Sequence, residues 1–237
     1  MSTFSSPRKI WTFRTVLFGL TLIDIILVVL GLVIFPKVIK DGGLIGAGAA
    51  ALMVASYGFL ALYSPLRCDT VDVRLWKPAA AIGVVGGLCL GADLLSNYFI
   101  YRNGPTNSKI SLVVYGTYLL LLMVSALRAA RTTSRIRDGV IAAIWYVILA
   151  QLIWVLVELA AYYLFGETQV GQEFIRTEMG EDFKRSGMAD FQAFVIGDLF
   201  GAVFFHMLLI GLVAGLLFGA FAGAIGKGLT TFGRGAP

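Results

Sequence analysis

The run Thr15–Phe35, TVLFGLTLIDIILVVLGLVIF, decides the class of fold. An α-helix needs about 20 apolar residues to cross the hydrocarbon core of a bilayer. This run has that length with one ionisable residue, Asp24, inside it. Arg8, Lys9 and Arg14 precede it, as basic residues precede a secretory leader. The run is longer than a leader's apolar core of roughly 7–15 residues, and no A-x-A-like cleavage site follows. It therefore reads as a retained first span.

Five further segments have the same character. The expected spans are 14–35, closed by Pro36; 43–63, closed by Ser64-Pro65; 79–100, opened by Pro78; 110–128; 139–165, ended by Gly166; and 191–226, with Asp190 as N-cap. Lipid offers no hydrogen-bond partner to backbone N–H and C=O groups, so the spans must be helical. The fold expected is all-α, a polytopic bundle of six spans that takes up residues 1–237 as a single membrane domain. Composition agrees: 58% of the 237 residues are apolar and 14% charged, against about 25% charged in soluble domains. Mean hydropathy is +0.85.

Lys and Arg set the expected orientation. With the N-terminus inside, the cytoplasmic side holds twelve of them: Arg8, Lys9, Arg14, Arg67, Arg74, Lys77, Arg128, Arg131, Arg135, Arg137, Lys227 and Arg234. The other side holds seven: Lys37, Lys40, Arg102, Lys109, Arg176, Lys184 and Arg185. This favours cytoplasmic N- and C-termini, in a cytoplasmic membrane of the prokaryotic kind. The same clustering explains the net charge of +5 without nucleic acid as a partner. The partners expected are the bilayer itself and, through the glycine faces below, further copies of the chain or subunits of a membrane complex.

The sixth span is too long to stand upright. Thirty-six residues (191–226) at 1.5 Å each run to about 54 Å, so it projects, tilts or breaks, with Asp198 and Gly201 marking a possible break. Between spans 5 and 6, residues 166–190 carry six acids and three bases. Ile175, Met179 and Phe183 recur there every four residues, which predicts an amphipathic helix on the outer surface or capping the bundle.

Two glycine series stand out, Gly83, Gly87 and Gly91 in span 3, and Gly211, Gly215, Gly219 and Gly223 in span 6. Glycine at every fourth position strips one helix face of side chains, so that a second backbone packs closely on it, as in a glycine zipper. Matching these spans as halves of an inverted repeat fails, because their polar residues lie at different depths.

The ionisable residues at membrane depth are Asp24, Asp93, Glu158, Asp198 and His206. Such groups are costly in a bilayer and usually face the bundle interior or water. Asn97 shares a face with Asp93, and Gln151, Glu158 and Tyr162 form a stripe on span 5. One reading gathers Asp93, Glu158, Asp198 and His206 in a cavity that binds a cation or relays protons; burial favours the neutral form of a carboxyl, so protonation can couple to binding. In a second, each acid is hydrogen-bonded and fixes packing. In a third, some hold a cofactor or a partner subunit; the sequence names no cofactor. Asp198 has the further option of an interface position in contact with water.

Enzyme signatures are absent. A lone His supplies neither a bis-His haem site nor a three-His zinc site, so no metal is expected. No G-x-S-x-G, H-E-x-x-H or P-loop occurs. The intramembrane aspartyl protease pattern Gly-x-Gly-Asp fails at Val195 before Gly197-Asp198. Cys68 and Cys89 lie on different elements and suggest no disulfide. Trp11, Trp76, Tyr101, Tyr162 and Tyr163 sit near span ends as an interfacial belt, and Trp154 reads as a buried packing residue. The function expected is a small transporter or channel-like protein that handles protons or cations. The alternatives are an accessory or assembly subunit of a larger membrane complex and, third, an intramembrane enzyme.

Overall fold

Apolar runs of bilayer length fold as helices here. The computed structural model describes residues 7–40, 43–67, 73–100 and 104–234, and among them there is no strand. The helices are α1 (Pro7–Ile34), the single turn α2 (Lys37–Lys40), α3 (Gly43–Arg67), α4 (Val73–Asn97), α5 (Gly104–Thr133), α6 (Ile136–Phe165), α7 (Gln169–Ser186), α8 (Phe191–Phe205) and α9 (Ala214–Arg234). An eight-residue π-helical segment, His206–Val213, joins α8 to α9. Six helices are long and apolar enough to cross a membrane: Thr15–Ile34, Gly43–Tyr63, Lys77–Asn97, Pro105–Thr133, Ile136–Phe165 and the continuous Phe191–Thr230.

Local chemistry sets several of the ends. Pro36 follows α1, whose last turn is closed by the Phe35 amide on the Gly31 carbonyl at 3.0 Å. Asp190 caps α8 as expected, accepting the Ala193 amide at 3.0 Å. Gly166 follows α6 in right-handed rather than left-handed geometry, its amide still on the Tyr162 carbonyl at 2.9 Å. Three expected boundaries are corrected. Pro65 does not close the second span, because α3 runs on to Arg67. Pro78 lies inside α4, which starts at Val73; a proline there removes one ladder bond without ending the helix. The basic stretch 128–137 is mostly helical, since α5 ends at Thr133 and α6 starts at Ile136, and Ser134 makes the turn with φ +59°.

α6 is the central helix. It packs against α4, α5, α9 and α1, and 67% of its most apolar stretch is buried. α3 lies between α1 and α8. The sixth span crosses the bundle: α8 packs on α3, whereas α9 packs on α5 and α6. It breaks at neither Asp198 nor Gly201. Its irregularity comes later, from His206 onward, as a π segment within a continuous helix. α7 lies across one end of the bundle, with Ile175 buried and Met179 and Phe183 half-buried. The Phe174 ring meets Tyr98 edge-on at 5.4 Å, and Phe183 meets Phe191 at 5.0 Å.

Candidate functional site

Four polar residues, Gln151, Tyr118, His206 and Tyr115, form a chain of hydrogen bonds beside the central helix. Gln151 of α6 is fully buried, and its Nε2 donates to the Tyr118 hydroxyl on α5 at 3.0 Å. That orientation turns Oε1 to Nδ1 of His206, 2.8 Å away. A carbonyl oxygen only accepts, so the neutral ring carries its proton on Nδ1. Nε2 is then the acceptor, and the Tyr115 hydroxyl donates to it at 3.1 Å. Trp154, one turn beyond Gln151, stacks on the imidazole with centroids 3.8 Å apart and planes at 16°. An indole face in that position stabilises a cation. Tyr146 completes the layer, packing on Tyr118 at 5.2 Å and donating to its backbone carbonyl at 2.8 Å.

Two carboxylates stand above this layer, toward α7. Asp93 accepts the Ser111 hydroxyl at 3.1 Å, and Ser111 lies one turn before Tyr115 on α5. Glu158 is buried on α6, one turn beyond Trp154, within electrostatic reach of Tyr98, Tyr115 and Asp198. The Tyr115 hydroxyl is thus hydrogen-bonded to His206 and within electrostatic reach of both Asp93 and Glu158.

The other candidates lie elsewhere. Asp198 is exposed and borders an open groove of about 310 Å³ with Gly197, Met188 and Gly46. Asn97 lines a shallow cleft with Asn107 and Glu178 near α7. Asp24 is 0% exposed, and neither carboxylate oxygen has a hydrogen-bond partner among the described residues. It lies on the face of α1 that presents Thr21 to Gly58 of α3, and Gly31 to Tyr163 of α6 and Phe200 of α8. No three metal-ligating side chains gather among the described residues.

All seven glycines of the two series face α6. A Cβ on Gly83 would strike the Tyr146 carbonyl; on Gly87 it would come 2.7 Å from the Ala150 carbonyl, and on Gly91 2.9 Å from Val157. On the opposite side, a Cβ would come 2.8 Å from Val147 at Gly215, 2.6 Å from Ala143 at Gly219 and 3.0 Å from the Ile136 carbonyl at Gly223. Gly211 does more than let backbones approach. Its Cβ would strike the Tyr57 hydroxyl and crowd Gln151 Cγ at 3.2 Å. Tyr57, on α3, donates to the Met207 carbonyl at 2.6 Å, inside the π segment. A side chain that bonds into a helix ladder is a known cause of such an irregular segment, and the Tyr57 hydroxyl takes one of its carbonyls.

Of the residues in this region, Gln151, Glu158, Asp93 and His206 were expected from the sequence, and Tyr57, Tyr115, Tyr118 and Ser111 were not. Their signal was present: Tyr115 and Tyr118 lie well inside an apolar segment, away from the interfacial ends where tyrosine is common. Trp154, expected only to pack, faces the histidine. Asp138, which precedes the expected start of span 5, is buried in the first turn of α6.

The class that the fold defines is a multi-pass α-helical membrane protein. Compared with known proteins, the chain matches no family model, no curated protein and no solved structure. Any finer reading of function rests on the site.

Proposed function

We propose that the chain is a small transporter or channel-like protein that moves protons, with His206 as the carrier and Tyr115 as its link to Asp93 and Glu158. The observation that carries this reading is the Tyr115–His206–Gln151 chain of hydrogen bonds beneath two carboxylates. The step balances. A carboxyl proton passes to the Tyr115 oxygen as the phenolic proton passes to His206 Nε2, which leaves a carboxylate, a neutral phenol and an imidazolium. Gln151 accepts from the imidazolium as it does from the neutral ring, and Trp154 stacks on the new cation. In the orientation expected from Lys and Arg, the α7 end faces outward and protons enter from there. The glycine faces of α4 and α9 belong to this reading as the surfaces that close the bundle on α6 and keep the layer dry.

A second reading, an accessory or assembly subunit, is favoured by one feature. Tyr57 and Tyr146 bind backbone carbonyls, as residues of a purely structural polar layer would. Proton flux into liposomes separates the two. Transport predicts flux in the wild-type protein that falls to background in His206→Ala and Glu158→Gln and is strongly reduced in Asp93→Asn, each variant remaining folded by size-exclusion and thermal melting. A wild-type protein that conducts no protons overturns the proposal and favours the accessory reading.

A further inference from the structure

A second polar site lies at the α7 end, away from His206. α6, α7 and α8 enclose a pocket of about 140 Å³, lined by Glu167 and Arg176 together with Gln172, Gln192, Tyr162 and Phe191. Glu167 is held on both oxygens: Gln192 donates to Oε1 at 2.8 Å and Gln172 to Oε2 at 3.1 Å. These two amides come from different helices, α8 and α7, and fix the carboxylate in the pocket wall. Arg176, also in the wall, forms no ion pair among the described residues. One fixed anionic group and one free guanidinium thus share a single small space, beside two aromatic rings.

That donor set defines its ligand. A carboxylate beside aromatic rings receives an ammonium. A guanidinium receives a phosphate, with two parallel N–H donors. The volume is about half the roughly 300 Å³ at which drug-sized pockets begin, so the occupant is small. The site also has a fixed level. Spans 5 and 6 end and begin at Phe165 and Phe191, so Gly166, Glu167 and Phe191 stand at the bilayer boundary, where lipid head groups lie. We propose that this pocket binds a phosphoryl-ethanolammonium zwitterion, the head group of a phosphatidylethanolamine, with phosphate on Arg176 and ammonium on Glu167. The inference is independent of proton transport.

Native mass spectrometry of the delipidated full chain, titrated with phosphatidylethanolamine or phosphatidylglycerol of the same acyl chains, tests it. Phosphatidylethanolamine binds the wild-type protein more tightly. Glu167→Gln weakens it about tenfold and leaves phosphatidylglycerol unchanged, and Arg176→Gln weakens both lipids. Both side chains are exposed, so the variants keep the wild-type melting temperature. Soluble O-phosphoethanolamine is then added as competitor. Failure to compete assigns the site to the lipid; displacement of the lipid assigns the same chemistry to a free solute. Equal binding of the two lipids, or an equal loss of both in Glu167→Gln, overturns the proposal.

Discussion

Among the described residues, two of the places where the bundle encloses polar groups treat them in opposite ways. Around His206, each imidazole nitrogen and both ends of the Gln151 amide have a partner between 2.8 and 3.1 Å away. At Asp24, an equally buried carboxyl has none among the described residues. A net hydrogen bond contributes about 0.5–1.5 kcal/mol, whereas a buried group left without one costs about 1–3 kcal/mol. The first region therefore stabilises the packing of α5, α6 and the π segment. The second is a cost to the α1–α3–α6 contact. Burial alone does not distinguish a residue that holds a membrane bundle together from one that strains it; the partners do.

The largest expected effect comes from cutting the partnered region at its centre. Gln151→Leu leaves His206 Nδ1 and the Tyr118 hydroxyl unpaired and lowers unfolding stability in micelles by about 2–3 kcal/mol, with proton flux lost as well. The same measurement on Asp24 has the opposite sign. Asp24→Leu removes the unpaired oxygens and raises stability by about 1–2 kcal/mol; a fall instead would mean that the carboxyl is partnered in the bilayer.

A milder cut sharpens the picture of the π segment. Tyr57→Phe keeps the ring and removes the hydroxyl that binds the Met207 carbonyl, at a cost of about 1 kcal/mol. Amide exchange in the segment His206–Val213 should change, while exchange in α8 stays unchanged. Exchange unaltered there would show that the segment holds without the hydroxyl.

The smallest effect belongs to an exposed pair, which serves as the reference for both buried regions. The Lys37 ammonium lies 2.6 Å from Asp190 and, as its hydrogen-bond donor, holds that carboxyl below the usual carboxylate range. A carboxyl with a lowered folded-state pKa stabilises the fold above its unfolded value of about 3.9, and that contribution disappears as pH falls through the lower folded value. Lys37→Ala should therefore lower the melting temperature slightly at pH 7 and not at all at the most acid pH, and added salt should shrink the difference. The Ala193 amide still binds Asp190 in that variant, so the α8 cap is retained.

Much of this was legible in the chain. The lengths of the apolar runs demanded helices, because lipid leaves a backbone no other partner. The four-residue glycine period placed one bare face on each of two spans, and the acid and histidine positions marked where polarity enters the membrane. These are local properties, carried by length and period along one helix. Only the tertiary structure decided which faces meet: that both glycine faces close on α6, that Tyr115 and Tyr118 of α5 reach His206 and Gln151, and that Tyr57 of α3 binds a carbonyl of the sixth span. It also separated Asp93, which has Ser111, from Asp24, which has no described partner. The physical reason is that a hydrogen bond between helices depends on the rotation and crossing of both, and spacing along either one contains neither.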